Sequence, residues 1–188
     1  MTRRMTISIV LALILGCAQA ALAGPVNCCL YGTTGATGGS TLVQLDPVTG
    51  ALVRTIGPVG YDVNGLAWDP LTQTMYAGTS YNDPVFNGLI AIDLTTGAGA
   101  QVGANLWGSA DPDGYPQAAV ALTISATGQM FAWCEDCYDI TVGYYRDDLV
   151  SINRTTGVAT RVGDSGISTG ALGLDFDANG TLTLVKQD

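Results

Sequence analysis

Short apolar runs, many of them alternating with polar residues, fill the chain from residue 29 onward, and Gly, Thr and Asp punctuate them. That alternation is the period of a strand with one covered face, and strong helical periodicity is absent. Three segments read alike. Leu42 to Asp46 runs through a turn to Gly50 and on to Gly57, Leu89 to Asp93 through Gly97 to Gly103, and Leu149 to Asn153 through Gly157 to Gly163. In each, an apolar strand meets Asp or Asn, then Thr-Gly, then a second short strand. The side-chain oxygen of Asp46, Asp93 or Asn153 can accept bonds from backbone N–H groups two residues on. The glycine can take the positive φ that closes such a hairpin.

A second hairpin alternates with the first. Gly65 to Asp69 turns into Thr74 to Gly78, Val120 to Ile124 turns through Ser125–Gly128 into Gln129 to Trp133, and Leu172 to Phe176 turns through Asp177–Gly180 into Thr181 to Val185. Cys29 to Gly32 matches the second half of such a pair. With the four strands lettered in order, the chain reads B-C-D, A-B-C-D, A-B-C-D, A-B. The period is roughly 45 to 60 residues, within the range of propeller blades. A β-sandwich also holds short strands at this spacing, but does not require one four-strand order to recur.

The alternation of Gly65–Thr79 with Leu89–Gly103 resembles the YVTN/NHL-like class of extracytoplasmic β-propellers. The resemblance covers most of the chain and implies a fold, not an activity. The implied fold is all-β, with four-stranded antiparallel blades in a ring of about six to eight. Three C-D pairs and a fragmentary fourth unit make an incomplete ring of about three blades plus a partial one. A truncated chain is the first reading of this shortfall; self-association through open blade edges and an open sector are the others.

Residues 1–23 read as a signal peptide. Arg3 and Arg4 precede an apolar stretch from Ile7 to Leu15, and Ala21-Leu22-Ala23 precedes Gly24. The stretch is too short for a permanent anchor. Residues 24–188 then form one β-propeller-like repeat domain, secreted or periplasmic. The alternative cut, at Cys17 after Ile14-Leu15-Gly16, would leave a lipid-anchored cell-surface protein. Past the leader stand five basic and sixteen acidic residues, a net charge near −11 that repels phosphate backbones and anionic headgroups, so no nucleic-acid partner is expected. The chain has no histidine, which excludes Ser-His-Asp and Cys-His catalysis and imidazole metal sites.

In an exported chain, Cys28, Cys29, Cys134 and Cys137 point to disulfides. A local Cys134–Cys137 bridge is expected over redox chemistry, which would need a helix N-terminus, and over a four-cysteine metal site. The pairing of Cys28 and Cys29 stays open. Asp175, Asp177 and Asn179 match the first half of a calcium loop whose closing glutamate is missing, so a hairpin turn is the first reading and calcium the second.

In an up-and-down blade the A-B and C-D turns leave one side and the B-C and D-A connections leave the other. The A-B and C-D turns are short and alike here, whereas the long segments 32–41, 58–64, 79–88, 104–118, 134–148 and 163–171 are all B-C or D-A. They carry Tyr61, Asp62, Tyr81, Asp83, Trp107, Asp111, Asp113, Tyr115, Tyr138, Tyr144 and Tyr145. Aromatics interleaved with carboxylates suit a sugar, a cationic peptide, another protein or a bound divalent ion; packing of the loops onto the blades is the competing reading. The expectation is an exported, non-enzymatic binding or scaffold module with no resident cofactor. A propeller-based hydrolase or lactonase using Asp-bound metal and a lipid-anchored structural repeat protein are the alternatives. Two or more carboxylates could serve as acid and base, but a single Glu and no His weigh against an enzyme.

Overall fold

The computed structural model describes residues 30–35, 39–80, 83, 85–103, 118–139, 144–167 and 171–186. The expected signal peptide, Cys17, Cys28, Cys29, Tyr81, Trp107, Asp111, Asp113 and Tyr115 lie outside the described residues. Within them every regular element is a strand: β1 (Leu30–Thr34), β2 (Thr41–Leu45), β3 (Leu52–Pro58), β4 (Val63–Asp69), β5 (Thr74–Thr79), β6 (Leu89–Ile92), β7 (Gly99–Gln101), β8 (Ala118–Ile124), β9 (Met130–Asp139), β10 (Tyr144–Ile152), β11 (Ala159–Asp164), β12 (Ala171–Phe176) and β13 (Leu182–Lys186). No described helix is long and apolar enough to cross a membrane.

The strands form four antiparallel sheets in simple chain order: β1-β2-β3, β4-β5-β6-β7, β8-β9-β10-β11 and β12-β13. Local turn chemistry sets the hairpins. Asp46 accepts the N–H groups of Val48 and Thr49, both at 2.8 Å, and Gly50 at φ 70° donates its N–H back to the Asp46 carbonyl at 2.8 Å. Asp93–Gly97 and Asn153–Gly157 repeat the arrangement. Register repeats as well. In β4–β5, β8–β9 and β12–β13 one extra residue bulges from the first strand, at Asn64, Val120 and Leu172. A bulge recurring at one repeat position marks a built feature of the unit.

The sheets stack successively, and the alternation of side chains across each strand divides the core between neighbours. From β5 and β6, Met75, Ala77, Ile90 and Ile92 join Leu42 in the core between the first and second sheets. Tyr76 and Leu89 face the other way and meet Leu122, Met130, Ala132 and Val150 between the second and third. Trp133 turns to Ala121 and Leu174 between the third and fourth. Middle strands covered on both faces explain why Met75–Thr79 is buried throughout. The first strands also adjoin, β4 against β8 and β8 against β12.

One expectation is corrected. Segment 134–148, read as a long connection, is mostly strand: β9 continues to Asp139 and β10 begins at Tyr144. The polar Glu135-Asp136 step conceals it, because one extra β9 residue between Cys134 and Cys137 breaks the alternation. That extra residue places both cysteines on the same side, where both are buried and bridged to each other. Likewise Gly32–Thr34, read within the long segment 32–41, belongs to β1.

Candidate functional site

Three of the long connections meet on one side of the first two sheets. Ser40 N–H donates to the Tyr61 carbonyl (2.8 Å), and Val63 N–H donates to Ser40 Oγ (2.9 Å). Gly39 N–H donates to Asp62 Oδ1 (2.6 Å) and Asp62 N–H to Asp83 Oδ2 (2.6 Å). Asp83 Oδ1 also accepts Val85 and Phe86 N–H, both at 2.8 Å. Both carboxylates are buried, Asp62 at 3% and Asp83 at 6% exposure. Burying them uncompensated would be costly; backbone donors satisfy them instead and lock segments 39–40 and 58–64 and the described residues of 79–88 into one unit. Half-buried Tyr61 packs edge-on against Phe86, ring centres 6.4 Å apart.

At these positions the loop aromatics and acids divide in role. Asp62 and Asp83 build the loops, and Tyr61 covers them. Tyr138 and Tyr145 are directly paired across β9 and β10, and Tyr144 pairs with Asp139 at the far end of the same hairpin. Asp147 and Asp148, next along β10, are buried. Arg161 donates from Nη2 to Asp148 Oδ1 (2.9 Å), and its Nε stands 2.8 Å from Oδ2 as an ion pair with this buried carboxylate.

Asp177 and Asn179 belong to the β12–β13 turn, and Asp175 lies near the end of β12. Asp177 Oδ1 accepts the N–H groups of Asn179 (2.8 Å) and Thr181 (2.7 Å), and Asp175 Oδ1 accepts Phe176 N–H (2.8 Å) and the Thr123 hydroxyl (3.2 Å). No group of three or more metal-ligating side chains gathers among the described residues. The N–H bonds of Thr181, Thr49 and Thr95 hold the carboxyls of Asp177, Asp46 and Asp93, respectively, below the usual aspartate value.

A second concavity was not legible from the sequence. A groove of about 460 Å³ runs along the adjoining first strands, lined by Leu66–Trp68, Leu122–Ile124, Gly173–Asp175, Thr183 and Val185. It is largely apolar, with Thr123, Asp175 and Thr183 as its polar side chains. Its walls come from matching positions of three repeats, and nothing in the strand pattern says that those strands adjoin.

On the tight-turn side, fully buried Asp69 takes Leu71 N–H (3.0 Å), the Thr72 hydroxyl (2.7 Å) and the Arg154 guanidinium. Arg154 sits in the β10–β11 turn, so this ion pair ties the second sheet to the third. No protein-family model matches the chain, and no curated protein matches it significantly.

Proposed function

We propose that the chain is an exported, non-enzymatic binding or scaffold module of β-propeller type, whose long connections form the recognition side. Four features support the propeller reading: recurring strand order, a bulge at one repeat position, successive stacking, and first strands side by side. Recognition rests chiefly on one observation, the investment of buried Asp62 and Asp83 in fixing three connections on a common side. Loops held rigidly by satisfied buried polar groups are the usual platform for binding residues. Trp107, Asp111, Asp113 and Tyr115 of segment 104–118, with Tyr138, Tyr144 and Tyr145 from the end of the β9–β10 hairpin, supply the contact chemistry for an oligosaccharide or a Lys/Arg-rich peptide.

A panel of oligosaccharides and cationic peptides, measured by calorimetry, tests this reading. Replacing Trp107, Tyr115 and Tyr144 together by Ala should weaken binding at least ~100-fold, about 2.7 kcal/mol, with an unchanged melting temperature. Binding that survives the triple substitution, or unfolding in its place, rejects the recognition side.

A further inference from the structure

The junction between consecutive sheets closes twice inside the chain with the same two pieces. A glycine following one sheet's last apolar residue, Gly57 or Gly103, lies against the tip of the next sheet's last hairpin, at Thr96–Gly97 or Thr156. A Cβ on Gly57 would overlap the Thr96 carbonyl oxygen, and one on Gly103 that of Thr156. The residue before each glycine, Ile56 or Val102, packs into the core shared with the next sheet. Gly97 and Gly157 are buried at these junctions.

Among the described residues, one further copy of each piece has no neighbour packed against it. An added Cβ on Gly163 would find no atom of the described residues within 4 Å, and Val162 before it is 54% exposed. At the other end, the Thr49–Gly50 tip has the same turn as its buried counterparts, with Gly50 and Gly157 both at φ 70°, yet Gly50 is exposed and faces open space. Leu52 stands where Gly99 and buried Ala159 stand in the other two hairpins, and it is 61% exposed.

We propose that these two ends are the halves of one interface, and that a second copy of this chain seats its Thr49–Gly50 turn against Gly163. The occupant is a second copy because each end presents the half that the other lacks, by the rule both internal junctions follow. Residue sizes also match. Gly99 lies against the Tyr61 ring and the Val59 carbonyl oxygen; at the new junction Leu52 takes its place and Ile167 takes that of Tyr61, so the added leucine volume falls opposite an isoleucine in place of a tyrosine. In the joint sheet, β12 supplies the first strand and the second copy's β2 and β3 the last two. The second copy's β1 holds the same repeat position as β13, so one of these edge strands yields. Head and tail differ, so the contact is heterologous and either closes into a ring or continues as a filament. The proposal rests on the stacking of the sheets and not on what the loops bind.

Sedimentation equilibrium of the purified protein, with Gly163→Lys and Leu52→Asp variants, tests it. Both substitutions face open space, so neither should alter the melting temperature of the dissociated chain. The unaltered protein should have a mass of two or more chains, falling on dilution. Each variant should be monomeric, and an equimolar mixture of the two should restore a species of two chains and nothing larger. A monomer at every concentration, a multimer indifferent to both substitutions, or one broken by only one of them overturns the proposal.

Discussion

Arg154→Met removes the guanidinium that faces Asp69 and lies beside Gly128. Asp69 is fully buried, and stripping one partner from a buried ion pair costs about 3–5 kcal/mol. Two features reduce that figure. Asp69 keeps the Leu71 N–H and the Thr72 hydroxyl, and the Arg154 side chain is 27% exposed, so water can reach the vacated place. The expected loss is about 2–3 kcal/mol, a large share of the roughly 5–15 kcal/mol that stabilises a domain. Urea unfolding should show it as a lower midpoint at constant slope. Asp69→Asn alone, and both changes together, complete a double-mutant cycle with an expected coupling of about 2 kcal/mol. A cost below about 0.5 kcal/mol for Arg154→Met, or no coupling, would refute the claim that this pair fastens the second sheet to the third.

Gly103→Ala should destabilise by about 2–3 kcal/mol, through overlap with the Thr156 carbonyl and a φ of 69°, whereas Gly163→Ala at the same repeat position should stay within about 0.5 kcal/mol in the monomer; chemical denaturation compares them. Asp46, Asp93 and Asp177 have lowered carboxyl pKa values in the fold, so their stabilisation is present above the unfolded value of 3.8 and is lost as pH falls through the folded values. Replacing all three by Asn, the residue that already serves at Asn153, should flatten the acid limb of a melting-temperature profile and leave the neutral region nearly unchanged. Reducing Cys134–Cys137 should cost only about 2 kcal/mol, since a bridge spanning a sequence separation of 3 removes little chain entropy; a melting curve with and without reductant measures it.

Strand order was legible because it is written in local chemistry. Asp46, Asp93 and Asn153 each bind nearby backbone N–H groups, and Gly50, Gly97 and Gly157 each take positive φ, so the repeated turn is recognisable from a few residues. Where the local signal fails, so does the reading. The extra residue between Cys134 and Cys137 disrupts alternation, and a polar strand passed for a loop. Long-range pairings leave no local trace: Asp69 and Arg154 are 85 residues apart, and the groove draws its walls from three repeats. Asp62 and Asp83 were legible as members of a loop side but not as its internal fasteners, because composition does not distinguish a carboxylate aimed at solvent from one aimed at the backbone. Tyr61 beside them is half-buried against Phe86, a packing role that its type alone does not reveal.

The stacking of like sheets is tested most directly by nuclear Overhauser contacts between backbone protons of the labelled protein. Gly57 should show contacts to Thr96 and Gly97, Gly103 to Thr156, and Gly65 to Ala121, whose Cα lies 3.4 Å from the position of a Cβ on Gly65. Absence of these three sets, with cross-peaks instead joining β4 directly to β12, would mean that the sheets do not follow one another in chain order.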